Sequence, residues 1–162
     1  MRRVLVIVAV CLGTVAASQA PAAAAAAFHD VTAVTEGPAL LISFTESGLQ
    51  PGQNYAYSAG GSYSETFRCY RDRTFTPTHR TTIVSGQADP DPRAYTADGA
   101  GDVDGFVLLW PNFPFPDFCP ARQSVVPVHI CYQPTDVVDF VEPFDVYWFP
   151  DGTTVCGDIE PD

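Results

Sequence analysis

The residues of this 162-residue chain best suited to chemistry are its five cysteines, Cys11, Cys69, Cys119, Cys131 and Cys156. Cys11 falls in an N-terminal segment whose pattern predicts removal on export, which leaves Cys69, Cys119, Cys131 and Cys156. An even count in an exported chain predicts two disulfides. Four cysteines allow three connectivities, and the residues themselves do not choose among them. Zinc is the competing use of four thiols. The separations of 50, 12 and 25 residues include no C-x-x-C pair, and no metal is expected.

Catalytic patterns are missing. The chain has no G-x-S-x-G elbow, no H-E-x-x-H and no Gly-rich phosphate loop. His29, His79 and His129 are the side chains that titrate near neutrality, and none sits in a motif. His29 is expected in a free end near the cleavage region, and His129 on a strand surface beside Cys131. Carboxylate pairs carry no glycosidase signal in a chain with 19 acidic residues. The protein therefore reads as a non-enzyme without a cofactor. Asp89, Asp91, Asp98, Asp102 and Asp104 offer oxygen ligands for calcium, and 102–105 echoes half an EF-hand loop. The bidentate Glu such a loop needs is missing. The plainer reading is a hairpin turn at Asp98-Gly99 among solvated aspartates.

Two groups could bind a partner. Arg68, Arg71, Arg73 and Arg80 form the one basic segment of the exported chain. Guanidinium groups suit carboxylates, sulfates and phosphates, although pairing with nearby aspartates is the simpler use for them. Trp110, Phe113, Phe115 and Phe118 lie in or beside a Pro-rich loop, with Tyr147, Trp148 and Phe149 further on. Such aromatics make a sugar platform or a protein hot spot, or they plug the end of a core.

The elements that must position these residues read as strands. Leu40, Ile42 and Phe44 alternate with polar neighbours, as do Tyr63, Phe67 and Cys69. The segments 81–85, 103–110, 126–132, 137–141 and 144–149 are β-rich, and Gly, Pro, Asn and Asp punctuate them. Gly60-Gly61 is expected to interrupt the run that begins at Tyr55. No segment carries apolar residues at helical spacing with caps. The pattern predicts an all-β, antiparallel, immunoglobulin-like sandwich of seven to nine strands. Leu40, Ile42, Phe44, Tyr57, Phe67, Val107, Leu109, Val126, Val128 and Ile130 should form its core. Pro127, inside an otherwise regular strand, implies an edge or a bulge. The same alternation turns His129 and Cys131 away from Val128 and Ile130.

Location is legible at the N-terminus. Arg2 and Arg3, an apolar run over 4–12 and a small-residue exit through Ala27 form a secretory signal peptide. That apolar run is shorter than the ~20 residues of a membrane span. Residues 28–162 then form one domain in a secreted, extracellular product. Removing Arg2 and Arg3 leaves six arginines against 19 acidic residues, a net charge of −13 with no lysine. Nucleic acid and anionic lipid should repel such a chain, so neither is an expected partner.

Several short segments together carry a resemblance. Residues 66–69, 81–86, 95–101, 118–120 and 126–132 follow one another as in small secreted β-sandwich proteins of high-GC Gram-positive bacteria, over roughly residues 40–142. That group has one strand cysteine and a later Cys-Pro, which implies a Cys69–Cys119 bond here and leaves Cys131 to pair with Cys156. The second bond would fasten the C-terminal tail to the outer side of the sheet. The group's Asn/Gly-rich segment after the first cysteine is replaced by residues 70–73. Residues 47–52 and 96–99 resemble turns of the neocarzinostatin family, which implies an apolar small-molecule carrier as an alternative. The leading expectation is a secreted binding module for a cell-surface protein or polymer.

Overall fold

The computed structural model describes residues 25–112, 114–141 and 144–159; most of the expected signal peptide and Phe113 lie outside the described residues. The described chain forms nine strands and no helix. They are β1 (Ala27–Glu36), β2 (Ala39–Ser47), β3 (Asn54–Arg71), β4 (Thr76–Asp91), β5 (Arg93–Thr96), β6 (Val103–Pro111), β7 (Gln123–Asp139), β8 (Val146–Trp148) and β9 (Val155–Asp158). All pairings are antiparallel, in the order β1-β2-β6-β4-β3-β7-β8, with β5 also on β3 and β9 also on β7. Strand β4 belongs to both halves: residues 76–87 pair with β3, and residues 88–91 pair with β6. A single strand thus carries the sheet round a corner, and the result is nearly closed. This arrangement is compatible with an immunoglobulin-like sandwich.

The core lies between the two halves. Leu40, Ile42 and Phe44 from β2, Tyr55, Tyr57 and Tyr63 from β3, Val107 and Leu109 from β6, and Ile130, Tyr132 and Val137 from β7 are buried there. Aromatic rings fill one end, where Phe28, Phe44, Tyr57 and Tyr95 meet with centroids 4.7–6.4 Å apart. Edge and tilted contacts of this kind add about 0.5–1.5 kcal/mol per pair beyond area burial. Both disulfides are Cys69–Cys119 and Cys131–Cys156, as the resemblance implied. In the chain-entropy model, closures of 50 and 25 residues are each worth roughly 3–4 kcal/mol.

Three expectations change. Val126 and Val128 are only half-buried and lie outside the core cluster. The cause is a register shift in β7: Pro127 pairs with the buried Phe67, and His129 with Thr66, leaving Val128 as the extra residue. Pro127 does mark a bulge, and the bulge turns Val126 to the outer face opposite Arg68 while Ile130 stays inside. Gly60-Gly61 does not end a strand either; β3 runs through it with another register shift. A Cβ on Gly60 would come within 2.6 Å of the Asp136 carboxylate, so glycine permits that close approach. His29, expected in a free end, lies in β1 with Nε2 2.9 Å from Ser47 Oγ. The alternation of β1 is broken by a register shift between His29 and Thr32, where Asp30 has φ of 50°.

Candidate functional site

The outer face of β4, β3 and β7 is built from cross-strand rows. Gln87, Ser62 and Gln133 form one, and Ser85, Ser64 and Cys131 form the next. Their alternation partners Tyr63 and Glu65 are buried, and the period of two turns the serines and glutamines outward. Small uncharged side chains leave a trough of about 600 Å3 over these rows. A second depression of about 510 Å3 shares Ser62 and Gln133 with it and runs on to Trp148. Trp148 is 69% exposed. The far wall is a turn closed by Thr153 N–H donating to Pro150 C=O at 3.0 Å, with Gly152 at φ 79°. The face offers hydroxyls and amides beside one exposed indole, with Asp151 in the far turn.

The arginines divide. Arg71 and Arg73, at the β3–β4 hairpin, share a groove of about 510 Å3 with Arg122. No carboxylate lies within ion-pair distance of these three among the described residues, where Arg93–Asp91 is the arginine pair. Asp72 in the same groove accepts a hydrogen bond from Ser124 Oγ at 2.7 Å. Arg68 lies apart, beside Pro77 and His79, with its Nε buried and without a hydrogen-bond partner. Arg80 is exposed on β4 and lines neither of these grooves. Arg122 was not singled out in the sequence because it lies far along the chain from Arg73; pairing of Arg71 with Gln123 brings it there.

The Pro-rich loop covers the inner face of β3. Tyr63 O–H donates to Asn112 C=O at 3.0 Å, Phe115 sets its ring 5.9 Å from Phe67, and Cys119 bonds to Cys69. Phe67 and Cys69 are fully buried as a result. Phe115 remains 66% exposed, Trp110 is exposed at the end of β6, and Phe118 is half-buried. Three of the five aspartates that suggested calcium, Asp91, Asp98 and Asp104, serve separate partners. Asp98 Oδ1 accepts from Ala100 N–H at 2.8 Å and Asp102 N–H at 3.0 Å, and these backbone donors hold its carboxyl below the usual range. Asp104 accepts from Thr45 Oγ1 at 2.7 Å, and Asp91 pairs with Arg93.

Sequence reading missed three buried acids. Glu46, Glu65 and Asp139 are 0–1% exposed. Burial raises Glu46 to about 7 against the opposing effect of the Tyr57 hydroxyl, with Asp139 and Asp145 pushing in the same direction as burial. Tyr57 O–H interacts with Glu46 electrostatically, but neither it nor the Glu46 oxygens reaches hydrogen-bond geometry. Burial alone raises Glu65 to about 7. Burial also raises Asp139, opposed by the backbone N–H of Val141 at 3.0 Å.

No family model, curated protein or solved structure matches this chain. Two disulfides fit an oxidising compartment. Among the described residues, no helix is long and apolar enough to cross a membrane.

Proposed function

We propose that this is a secreted, non-catalytic binding module whose outer sheet face holds a neutral polysaccharide. The supporting observation is the continuous trough running from Ser85 and Cys131 past Ser62 and Gln133 to the exposed Trp148. Sugars present hydroxyls that pair with Ser and Gln, and apolar C–H faces that stack on an indole. The one charged side chain of the lining is the acidic Asp151 in the turn beyond Trp148; with the net charge of −11 for the full chain it disfavours polyanions and suits a neutral polymer. Native gels cast with and without soluble neutral glucans and mannans test this. At least one polymer should retard the protein, at low and high salt alike, and Trp148→Ala with Gln133→Ala should weaken retardation by about tenfold or more. No retardation by any polymer, or retardation that the double variant leaves unchanged, overturns the reading.

A second reading has its own observation: Arg71, Arg73 and Arg122 line one groove, and none of them has a carboxylate within ion-pair distance among the described residues. It would take an anionic group, through contacts that weaken steeply with salt. The apolar-carrier alternative gains no support from these surface grooves, because Tyr55, Tyr57, Phe67 and Tyr132 occupy the space between the halves of the sheet.

A further inference from the structure

Strand β9 pairs with the outer edge of β7 so that Cys156 lies opposite Cys131 and Asp158 opposite His129. The i, i+2 spacing on each strand puts all four side chains on one face. His129 Nδ1 is 2.8 Å from Asp158 Oδ1, and its Nε2 is 3.4 Å from Cys131 Sγ. With Asp158 accepting from Nδ1–H, the other ring nitrogen is aimed at sulfur. The donor atoms of His129, Cys131 and Cys156 lie within 4.8 Å of one another, but both sulfurs are joined in the disulfide. Cys156 is exposed, Cys131 half-buried, and the trough opens onto Cys131. The other disulfide has no histidine beside it among the described residues and one fully buried sulfur. Cys69 is fully buried under the Pro-rich loop, and the polar contact of Cys119 is the Ser124 carbonyl at 3.9 Å.

We propose that Cys131–Cys156 is a thiol–disulfide exchange site, with His129 as proton donor and acceptor to Cys131 and Asp158 as the residue that positions His129. This inference does not rest on polysaccharide binding. An external thiol, entering as thiolate, attacks the exposed Cys156 sulfur. A new sulfur–sulfur bond forms there, the Cys131–Cys156 bond breaks, and its electron pair goes to Cys131 Sγ. The His129 imidazolium delivers its Nε2 proton to that sulfur, making Cys131 a better leaving group. A second external thiolate attacks the substrate sulfur of the mixed disulfide and releases Cys156 as thiolate, which takes a proton from water. Two external thiols are thereby oxidised to a disulfide, and the protein pair is reduced to two thiols. The side chain facing His129 from β9 is Asp158, and its cross-strand neighbour on β3 is the uncharged Thr66.

The test treats oxidised protein with 2-mercaptoethanol at pH 7, quenches with iodoacetamide at intervals and maps the alkylated peptides. Cys131–Cys156 should open at least about tenfold faster than Cys69–Cys119, and His129→Gln should slow that opening by about tenfold. Asp158→Asn should slow it less, and Asp158→Glu should restore it. In protein reduced only at this pair, Cys131 should alkylate with a lower pH midpoint than Cys156, and His129→Gln should raise the Cys131 midpoint. Equal rates for the two disulfides overturn the proposal, as does a rate that neither His129→Gln nor Asp158→Asn changes. Melting curves check that each variant folds. Asp158 is 88% exposed, so Asp158→Asn decides the question if His129→Gln proves unstable.

Discussion

Single residues set the acid–base behaviour of this protein, and the three buried carboxyls dominate it. Glu46 and Glu65 bind protons more tightly when folded, at about 7, than the ordinary value of 4.5. Between those values the folded state holds more protons than the unfolded chain, so stability falls as pH rises through the window. Each group should contribute at most about 3 kcal/mol, fully present below about pH 4.5 and lost above about pH 7. Denaturant midpoints measured from pH 4 to pH 8 should therefore decline. Glu65→Gln should flatten part of that decline and stabilise the protein at pH 8, because a neutral amide removes the buried charge. A midpoint that rises with pH over this range would contradict the assignment.

At the level of elements, two bulges in β7 decide which of its side chains face the core. The β7 bulge at Val128 keeps Ile130 inside, places His129 and Cys131 outside, and exposes Val126 to the outer face. Ile130→Ala should then cost about 2–5 kcal/mol, the range for a buried aliphatic truncation. Val126→Ala should cost about 0.5–1 kcal/mol, in keeping with a half-buried outer position. Urea titration of both variants checks the register directly, since an unbroken alternation would make the two costs similar. A second bulge in β7 leaves Thr135 as the extra residue opposite Gly60-Gly61 and so keeps both Tyr132 and Val137 inside, while β3 holds its alternation and pairs with β5 over residues 54–57 and with β4 over residues 62–71.

Across the whole molecule, two features hold distant parts together. Strand β4 joins the halves of the sheet, and Cys69–Cys119 clamps the Pro-rich loop over the inner face of β3. Replacing both cysteines with alanine should cost about 2–5 kcal/mol and free the loop that shields Phe67. A lowered melting temperature and increased binding of a hydrophobic dye would report both effects. An unchanged melting temperature would mean that the loop is held without the bond. Closure at the opposite side depends on small contacts. Tyr132 O–H donates to Pro38 C=O at 2.6 Å, and Gly157, lacking a Cβ, admits the Thr35 side chain.

The fold class is legible in the residues, because an alternation of period two and frequent turn residues admit few other structures. Also legible is the turn at residues 98–101, since Asp98 and Gly101 supply the side-chain acceptor and the φ of 85° that the turn requires. Pro127 marked the bulge, but local pattern could not say which neighbours would change face, because that depends on the partner strand's register. Strand β1 went unseen because its bulge breaks the alternation. The Ser/Gln trough, the grouping of Arg122 with Arg71 and Arg73, and the His129–Asp158 contact beside a disulfide were decided only in three dimensions. Each joins residues from different strands through hydrogen-bonded pairing. A buried glutamate such as Glu65 resembles an exposed one in the sequence, and only the packing of Tyr63 and Tyr132 around it makes it unusual.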